Sequence, residues 1–238
     1  MRQVIAMHGW GGDSNTWKIW ASQFQKDKWL WQSVERGYGE ITPFSPNWKN
    51  ATTYERHQQR VVIAHSLGPH LLTKEVLKQS TKIVFLCSFS RFIPNEVTSR
   101  SLKTALKGMQ KHLGTINEVN MLKSFLEKAC HPEAIDGIPP GPITKGLSVK
   151  GRKKLKSDLQ LLIQTNGLPQ GIPVEAKVLI VQGKEDSIIV PESRSCLIEE
   201  LTDYLEHSPT YWEIPNAGHL LLMPGLIKRV QSWLSSDL

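Results

Sequence analysis

The sequence predicts an α/β fold in which a doubly wound, mostly parallel sheet carries an inserted helical lid. One observation is that short apolar runs, typical of buried parallel strands, alternate with amphipathic helical patterns in residues 1–90 and again in residues 173–238. The other is that residues 91–172 contain three helical patterns and no evident strand. We therefore expect the two outer segments to form the core. The inner segment should lie above the carboxyl edge of the sheet, where such sheets bind ligands.

The core strands are predicted from short runs of β-branched and other apolar residues. These runs occupy residues 3–7, 29–34, 60–64, 83–87, 178–181 and 211–214. Helices are expected between and after them, at residues 15–26, 67–77, 191–205 and 224–234. Strands that alternate with helices in this way form parallel sheets through crossover connections.

The lid is predicted to contain three amphipathic helices and one long irregular crossing. Apolar residues at helical spacing mark the helices over residues 102–113, 119–129 and 155–163. The crossing runs from Gly137 to Gly151, where four glycines and three prolines in fifteen residues disfavour regular structure.

Composition indicates an ordinary globular protein without a metal site. The chain has 238 residues, of which 39% are hydrophobic, and this is enough for one sizeable core. Its three cysteines, Cys87, Cys130 and Cys196, lack CxxC spacing, and no His, Cys, Asp or Glu pair has metal-ligand spacing. No apolar run is long enough to span a membrane, and His8 leaves no room for a signal peptide before it. We expect a cytoplasmic monomer with no cofactor.

The net charge of +7 is concentrated in the lid. Residues 91–172 hold thirteen Lys and Arg against six Asp and Glu, whereas the rest of the chain holds sixteen of each. Such a segment can bind nucleic acid or an acidic protein surface, or it can be a solvated face with no partner. Nucleic acid is disfavoured, because the lid lacks aromatic residues interleaved for base stacking.

The pentapeptide Ala64-His65-Ser66-Leu67-Gly68 has the pattern of a nucleophile on a sharp turn. It follows a predicted buried strand and opens a predicted helix, and small residues are needed two positions before and after the nucleophile. Glycine is commoner than alanine at the first of these positions. The Ser66 hydroxyl would project over the sheet edge, and the backbone N–H of Leu67 would face a developing oxyanion. The alternative is a serine that caps the helix without chemistry.

An acid and a base follow Ser66 in the order that this architecture uses, which is Ser, then Asp or Glu, then His. A serine hydroxyl needs a base, and the base needs an acid to fix its tautomer. Asp186 lies in the loop after one predicted strand, and His219 follows the last strand. Glu185 is the rival acid. We prefer Asp186, because in this loop pattern the acid precedes a Val-Pro pair that starts the next helix. The alternatives are a surface turn residue and a structural histidine.

The loop His8-Gly9-Trp10-Gly11 follows the first predicted strand and would complete an oxyanion hole. Its glycines allow the backbone to approach a substrate carbonyl, so the N–H of Trp10 would act beside that of Leu67. The Trp10 indole would then wall an acyl pocket. Losing one such donor typically lowers the rate by about a hundred- to a thousandfold. The alternative is a tight turn packed by tryptophan.

These three motifs resemble those of the α/β-hydrolase superfamily in kind and in order, and the resemblance covers nearly the whole chain. The resemblance is closest to the carboxylesterases that demethylate pimeloyl-acyl-carrier-protein methyl ester in biotin synthesis. The features that carry it are the late lid, the turn at Ser66, the loop His8-Gly9-Trp10-Gly11 with Trp17 after it, and Ser124-Phe125-Leu126. In that family, an oxyanion-loop tryptophan, the residue after the nucleophile and a lid phenylalanine contact the acyl chain.

The resemblance implies that Trp10, Leu67 and Phe125 bind substrate. The sequence departs from the family pattern in lacking a hairpin before the first strand, in having Ala64, and in residues 35–39, which read Glu-Arg-Gly-Tyr-Gly instead of D-x-P-G-x-G. None of these changes removes a catalytic group, but they indicate that the substrate can differ. A general short-chain carboxylesterase, a thioesterase and a small-metabolite lyase therefore stay open. A non-catalytic binding protein is disfavoured by the intact Ser, Asp and His set.

The basic lid suits the acidic acyl carrier protein that such a substrate would require. The densest cluster opens the third lid helix, and further lysines lie on the first: Arg152, Lys153, Lys154 and Lys156, with Lys103, Lys107 and Lys111. We hypothesise that these side chains form a docking face. Because the attraction would be long-range and exposed, salt should weaken it.

Overall fold

The computed structural model describes residues 1–50, 58–94 and 99–236, within which a six-stranded sheet is flanked by helices. The strands are β1 (Arg2–Met7), β2 (Leu30–Ser33), β3 (Gln59–His65), β4 (Lys82–Leu86), β5 (Lys177–Gly183) and β6 (Thr210–Ile214). Their order across the sheet is β2-β1-β3-β4-β5-β6, and each of the five ladders that join them is parallel. The predicted parallel sheet is therefore confirmed.

Helices connect the strands and also occupy much of residues 91–172. Outside residues 91–172, the predicted lid, the helices are α1 (Lys18–Lys26), α2 (Gly68–Leu71), α3 (Lys74–Leu77), α8 (Pro191–Tyr204) and α9 (Leu226–Ser235). Within residues 91–172 they are α4 (Ser99–His112), α5 (Glu118–Cys130), α6 (Pro142–Lys145) and α7 (Val149–Gln164). Short 3-10 helices occupy Ser14–Trp17 and Ile135–Gly137. Within the described ranges, we find no helix with the length and hydropathy needed to cross a bilayer.

Two predicted boundaries were wrong. The helix expected at residues 67–77 is divided into α2 and α3, because Leu72 and Thr73 are extended, with ψ of 150° and 152°, and Thr73 caps α3. The crossing expected to be irregular contains α6 and the first turn of α7. Ser148 caps α7 by accepting a hydrogen bond from the N–H of Gly151 (2.9 Å), so the helix begins earlier than its apolar residues indicate.

The strand order creates a crevice at the carboxyl edge of the sheet. From β1 the chain moves to one side to form β2, and then returns to form β3 on the other side of β1. The loops after β1 and β3 therefore depart in opposite directions and leave space between them, which is where open α/β sheets bind ligands. The loop that contains Trp10 and the turn that contains Ser66 meet at this point.

The lid shares its hydrophobic core with one face of the sheet. Val84 in β4 belongs to the same buried cluster as Leu106 of α4 and Leu155 of α7. Its neighbour Phe85 belongs to a second cluster, together with Leu197 of α8. Because successive strand side chains point to opposite faces, the sheet is covered on both sides, and the lid is packed directly against one of them. The division into core and lid at residues 91–172 stays a prediction.

Helix α7 is fastened to the loop that follows β2. The buried carboxylate of Asp158 accepts hydrogen bonds from Tyr38 Oη (2.6 Å) and Arg36 Nε (2.9 Å). Burial and the Asp158 charge hold the pKa of Tyr38 well above its usual value, so the phenol remains a donor. Trp10 Nε1 donates to the carbonyl of Leu155 in the same helix (2.8 Å). The loop after β2 and the side chain of Trp10 therefore hold α7 against the sheet.

A matched pair of glycine substitutions tests this attachment. A Cβ at Gly151 in α7 would lie 1.8 Å from the carbonyl oxygen of Tyr38, whereas a Cβ at Gly108 in α4 would meet nothing within 4 Å. We expect Gly151→Ala to lower the free energy of unfolding by about 2–3 kcal/mol through overpacking. Gly108→Ala should raise it by about 0.5–1 kcal/mol, because alanine favours helix. Urea denaturation measures both changes, and equal effects would contradict the close contact.

Candidate active site

Ser66 lies on the sharp turn between β3 and α2. Its φ of 55° is in the left-handed region, which residues with side chains rarely adopt. The N–H of Ser66 donates to the carbonyl of Leu86 (2.9 Å), and Ser88 Oγ donates to the carbonyl of Ser66 (2.7 Å). Backbone strain of this kind persists only where the surroundings impose it, and it is concentrated at functional sites.

Two glycines make room for the turn. A Cβ at Gly68 would lie 2.6 Å from the carbonyl oxygen of Met7, and a Cβ at Gly9 would lie 2.8 Å from the Cβ of Ser66. Ala64, in contrast, is fully buried in the second core cluster, where its methyl group packs among other apolar side chains. The turn therefore needs glycine at the second small position and tolerates alanine at the first.

Asp186 and His219 form a buried hydrogen-bonded pair. Asp186 Oδ2 accepts from His219 Nδ1 at 2.9 Å, while Asp186 Oδ1 accepts from the N–H groups of Ile188 (2.8 Å) and Ile189 (3.1 Å). Burial favours a higher pKa for Asp186, but the charge of His219 and these hydrogen bonds lower it to about 2. The rival acid, Glu185, is exposed. The structure places Asp186, and not Glu185, against His219, and the catalytic roles of the pair stay a prediction.

The loops that carry the acid and the base are joined to each other. The N–H of Glu185 donates to the carbonyl of Ala217, and the N–H of Lys184 donates to the carbonyl of Ile214, each at 2.9 Å. A Cβ at Gly183 would lie 2.4 Å from the carbonyl oxygen of Ala217, so the two loops approach as closely as glycine permits. The separation of Asp186 from His219 is therefore fixed by the backbone.

The loop after β1 lies against the turn. His8 Nδ1 donates to the carbonyl of Gly9 (2.9 Å), and its Nε2 accepts from the N–H of Arg36 (3.3 Å). Burial lowers the pKa of His8, which keeps the ring neutral for these two roles. Gly9 approaches Ser66 closely, so Trp10 comes next to the turn on one side, while Leu67 follows Ser66 directly. The oxyanion role of these two N–H groups stays a prediction.

A cavity of about 700 Å³ opens beside the turn and is lined by both Ser66 and His219. Trp10 and Phe125 also line it, with their rings edge to face and 5.0 Å apart. The structure therefore brings together two of the three residues expected to bind substrate. The side chain of Leu67 is instead fully buried in the first core cluster.

Sequence reasoning missed much of the cavity wall. The apolar run Leu220–Met223, directly after His219, lines the cavity, as do Trp17, Trp20 and Ile143. Trp17 was used only as part of the family resemblance, and Trp20 and Ile143 were given no role in a site. The signal for the run was available, because four consecutive apolar residues beside the predicted base are unusual for a solvent-exposed loop, and Leu222 is 40% exposed.

Cys87 lies beside Asp186 and His219. In the described part of the chain, Cys87, Asp186 and His219 are a set whose potential ligand atoms all lie within 4.8 Å of one another. No metal was predicted. Since the carboxylate and the imidazole are already hydrogen-bonded to each other, the set fits a hydrogen-bonded network better than a metal centre.

The predicted docking residues differ in their surroundings. Arg152 Nε forms an ion pair with Glu118 (2.7 Å), and Lys154 Nζ donates to the carbonyl of Arg36 (2.9 Å). The other side chains of the set are exposed: Lys103, Lys107, Lys111, Lys153 and Lys156. The charge that is accessible to a partner therefore comes from these lysines more than from Arg152 and Lys154.

His65, next to Ser66, contacts His219. Its Nε2 donates to the carbonyl of His219 (2.9 Å), and the two rings lie 4.8 Å apart. Burial, together with the charge of His219, lowers the pKa of His65 to about 3. The ring is therefore neutral in the folded protein at neutral pH. Among the remaining histidines, His70 donates to the carbonyl of Phe89, and His57 lies outside the described residues.

This buried histidine predicts acid sensitivity. Above its ordinary pKa of 6.5, His65 is neutral in both the folded and the unfolded chain and costs no stability. As the pH falls from 6.5 towards 3, the unfolded chain takes up the proton and the folded chain does not. Relative to His65→Gln, the wild type should lose up to about 1.4 kcal/mol of unfolding free energy per pH unit in that window. Urea denaturation at several pH values measures this, and parallel profiles for the two proteins would contradict it.

The sequence matches no protein-family model and no curated protein. Solved structures do match. A carboxylesterase of the thaumarchaeon Nitrososphaera gargenis is 13% identical (TM-score 0.63) over 100% of this chain and 92% of its own. An α/β-hydrolase enzyme, MGS-M2, from a Medee basin deep-sea metagenome library is 13% identical, with a TM-score of 0.60 over 99% of this chain and 88% of its own. The bottromycin epimerase BotH is 12% identical, with a TM-score of 0.58 over 100% of this chain and 91% of its own. The predicted α/β-hydrolase fold is therefore confirmed.

Proposed function

We propose that the protein is a carboxylic ester hydrolase in which Ser66 is the nucleophile, His219 the base and Asp186 the acid that orients the base. The observation that carries the proposal is the buried hydrogen bond of 2.9 Å between Asp186 and His219. His219 shares an apolar cavity with Ser66, and that serine lies on a strained turn. The carboxylesterase among the similar structures agrees with this chemistry.

The reaction would proceed through an acyl-enzyme. His219 Nε2 takes the proton of the Ser66 hydroxyl as the oxygen attacks the ester carbonyl. The oxyanion forms between the N–H groups of Leu67 and Trp10, and the alcohol leaves with the proton from His219. The same histidine then activates water, which releases the acid. Asp186, whose pKa is about 2, stays ionised at neutral pH and stabilises the charged imidazole.

Within this class, we propose that the ester is the methyl ester of a pimeloyl group carried by acyl carrier protein, as the family resemblance implies. The cavity of about 700 Å³ is within the usual range for small-molecule sites. Its lining, which includes Trp10, Phe125 and the run Leu220–Met223, suits a methylene chain. Phe125 is therefore assigned a contact with the acyl chain.

The basic lid would receive the carrier protein. The exposed Lys153 and Lys156 on α7, with Lys103, Lys107 and Lys111 on α4, offer positive charge to an acidic partner. Arg152 and Lys154 belong to the same predicted cluster, but their existing contacts within the chain leave them a smaller part in docking. Attraction of this kind steers the encounter and acts over a Debye length of about 8 Å at physiological salt.

Other reactions on this fold are the competing candidates. One of the similar structures is an epimerase, so the fold alone does not select hydrolysis. A general short-chain carboxylesterase, a thioesterase or a small-metabolite lyase could use the same cavity. The Ser66, His219 and Asp186 arrangement favours hydrolysis, and it also disfavours a binding protein without catalysis.

Two neighbouring acids provide the first test. We expect Asp186→Asn to lower kcat about ten-thousandfold, because it leaves the imidazole without its orienting carboxylate. The matched control, Glu185→Gln, should leave kcat within about twofold, since that side chain is exposed. Hydrolysis of a carrier-bound dicarboxylate methyl ester, and of free p-nitrophenyl esters of increasing chain length, measures both. Equal activities of the two variants would contradict the assigned acid.

The carrier part of the proposal is tested with the same substrates. Added salt, or the double reversal Lys153→Glu with Lys156→Glu, should raise KM for the carrier-bound ester several-fold and leave the free esters unaffected. The charge-matched control is the double reversal Lys26→Glu with Lys78→Glu, at two exposed positions outside residues 91–172. Activity on short free esters alone would retain the esterase and reject the carrier.

A further inference from the structure

Cys87 lies at the carboxyl end of β4, and the proposed mechanism gives it no role. Its side chain is fully buried, and its φ of 42° turns the chain sharply after the strand. The N–H of Gly183 donates to its sulfur at 3.4 Å, and the sulfur lies 3.8 Å from the carbonyl oxygen of Gly218, to which the thiol can donate. The thiol therefore contacts the end of β5 and the loop after β6.

These two segments lead directly into the proposed acid and base. Gly183 ends β5, three residues before Asp186, and Gly218 directly precedes His219. The sulfur also lies within 4.8 Å of the potential ligand atoms of both Asp186 and His219. A change at this position would therefore reach both side chains of the pair.

The thiol is suited to donate a hydrogen bond and not to attack a substrate. Burial, reinforced by the nearby Asp186 charge, raises the pKa of Cys87 well above its ordinary value, so the sulfur keeps its proton. A thiol that stays protonated is a weak donor and a weak acceptor. Both capacities are used here, and the low dielectric of the interior strengthens them.

We propose that Cys87 is a positioning residue. Its contacts with Gly183 and Gly218 connect the segments before Asp186 and His219 and keep these two side chains at hydrogen-bonding distance. The inference rests on the proposed function, because it assigns the pair to catalysis. It adds a fourth side chain to the arrangement, one that acts through Asp186 and His219 and does not contact the substrate.

The test compares Cys87→Ser with Cys87→Ala. Serine and alanine are nearly equal in volume, but only serine keeps a donor and an acceptor at the position. We expect Cys87→Ala to lower kcat roughly tenfold with KM within about twofold, and Cys87→Ser to keep kcat within about threefold of the wild type. Cys196→Ala, at a half-buried thiol on α8, controls for loss of a cysteine.

Two readouts make the test independent of the substrate. One is the rate at which a fluorophosphonate labels the nucleophile, which should follow kcat across the variants. The other is the low-field proton resonance of the His219 Nδ1–H, which should broaden or move upfield in Cys87→Ala and persist in Cys87→Ser. A merely structural thiol would alter unfolding free energy without changing that resonance.

The outcomes separate the inference from the proposed function. If the wild type hydrolyses no ester, the ester-hydrolase assignment fails, and the resonance still decides the role of Cys87. If Cys87→Ala keeps the wild-type resonance and labelling rate, the inference is overturned. If kcat falls as far in Cys87→Ser as in Cys87→Ala, the sulfur contributes packing and no hydrogen bonds that position the pair, and the inference is overturned as well.

Discussion

The left-handed backbone of Ser66 is the constraint on which the rest of the site depends. A side chain at φ 55° is unfavourable unless neighbouring groups hold it there. Here Gly68 allows α2 to approach the backbone of β1, and Gly9 allows the loop after β1 to touch the serine. The segments that meet here follow β1 and β3, the neighbouring strands between which the strand order changes direction. The strained turn therefore lies where the topology opens a crevice.

The acid and base show how a parallel sheet assembles a site from distant parts of the sequence. Asp186 and His219 follow β5 and β6, whose carboxyl ends meet at the same edge as the turn. Strand order alone brings such loops near one another. Backbone contacts between the loops, such as that of Gly183 with Ala217, then fix the separation of the two side chains to hydrogen-bonding distance.

The sheet, the turn and the acid–base pair could be predicted, because each depends on local pattern and chain order. The choice of Asp186 over Glu185 followed from the Val-Pro pair after the loop, and burial agrees with it. The break at Leu72 and the early start of α7 could not be predicted in this way. They depend on residues that cap helices. At Ser148, the surrounding glycines and prolines predict irregular structure more strongly than one capping serine predicts a helix start.

The residues that line the cavity, and the contacts that basic side chains already make within the chain, could not be predicted for a different reason. Arg152 pairs with Glu118, and Trp10 donates to the carbonyl of Leu155, across separations of 34 and 145 residues. No periodicity or local motif encodes such contacts. The sequence therefore predicted where charge and apolar residues are concentrated, but not which of them are already engaged within the chain.

The most direct test of the central claim is mass spectrometry of the protein after reaction with a fluorophosphonate, which labels only an activated serine. The account predicts one adduct per chain, located on the peptide that contains Ser66, and its loss in His219→Ala. An adduct on another serine, or equal labelling of the wild type and His219→Ala, would contradict the assignment of Ser66 as a nucleophile activated by His219.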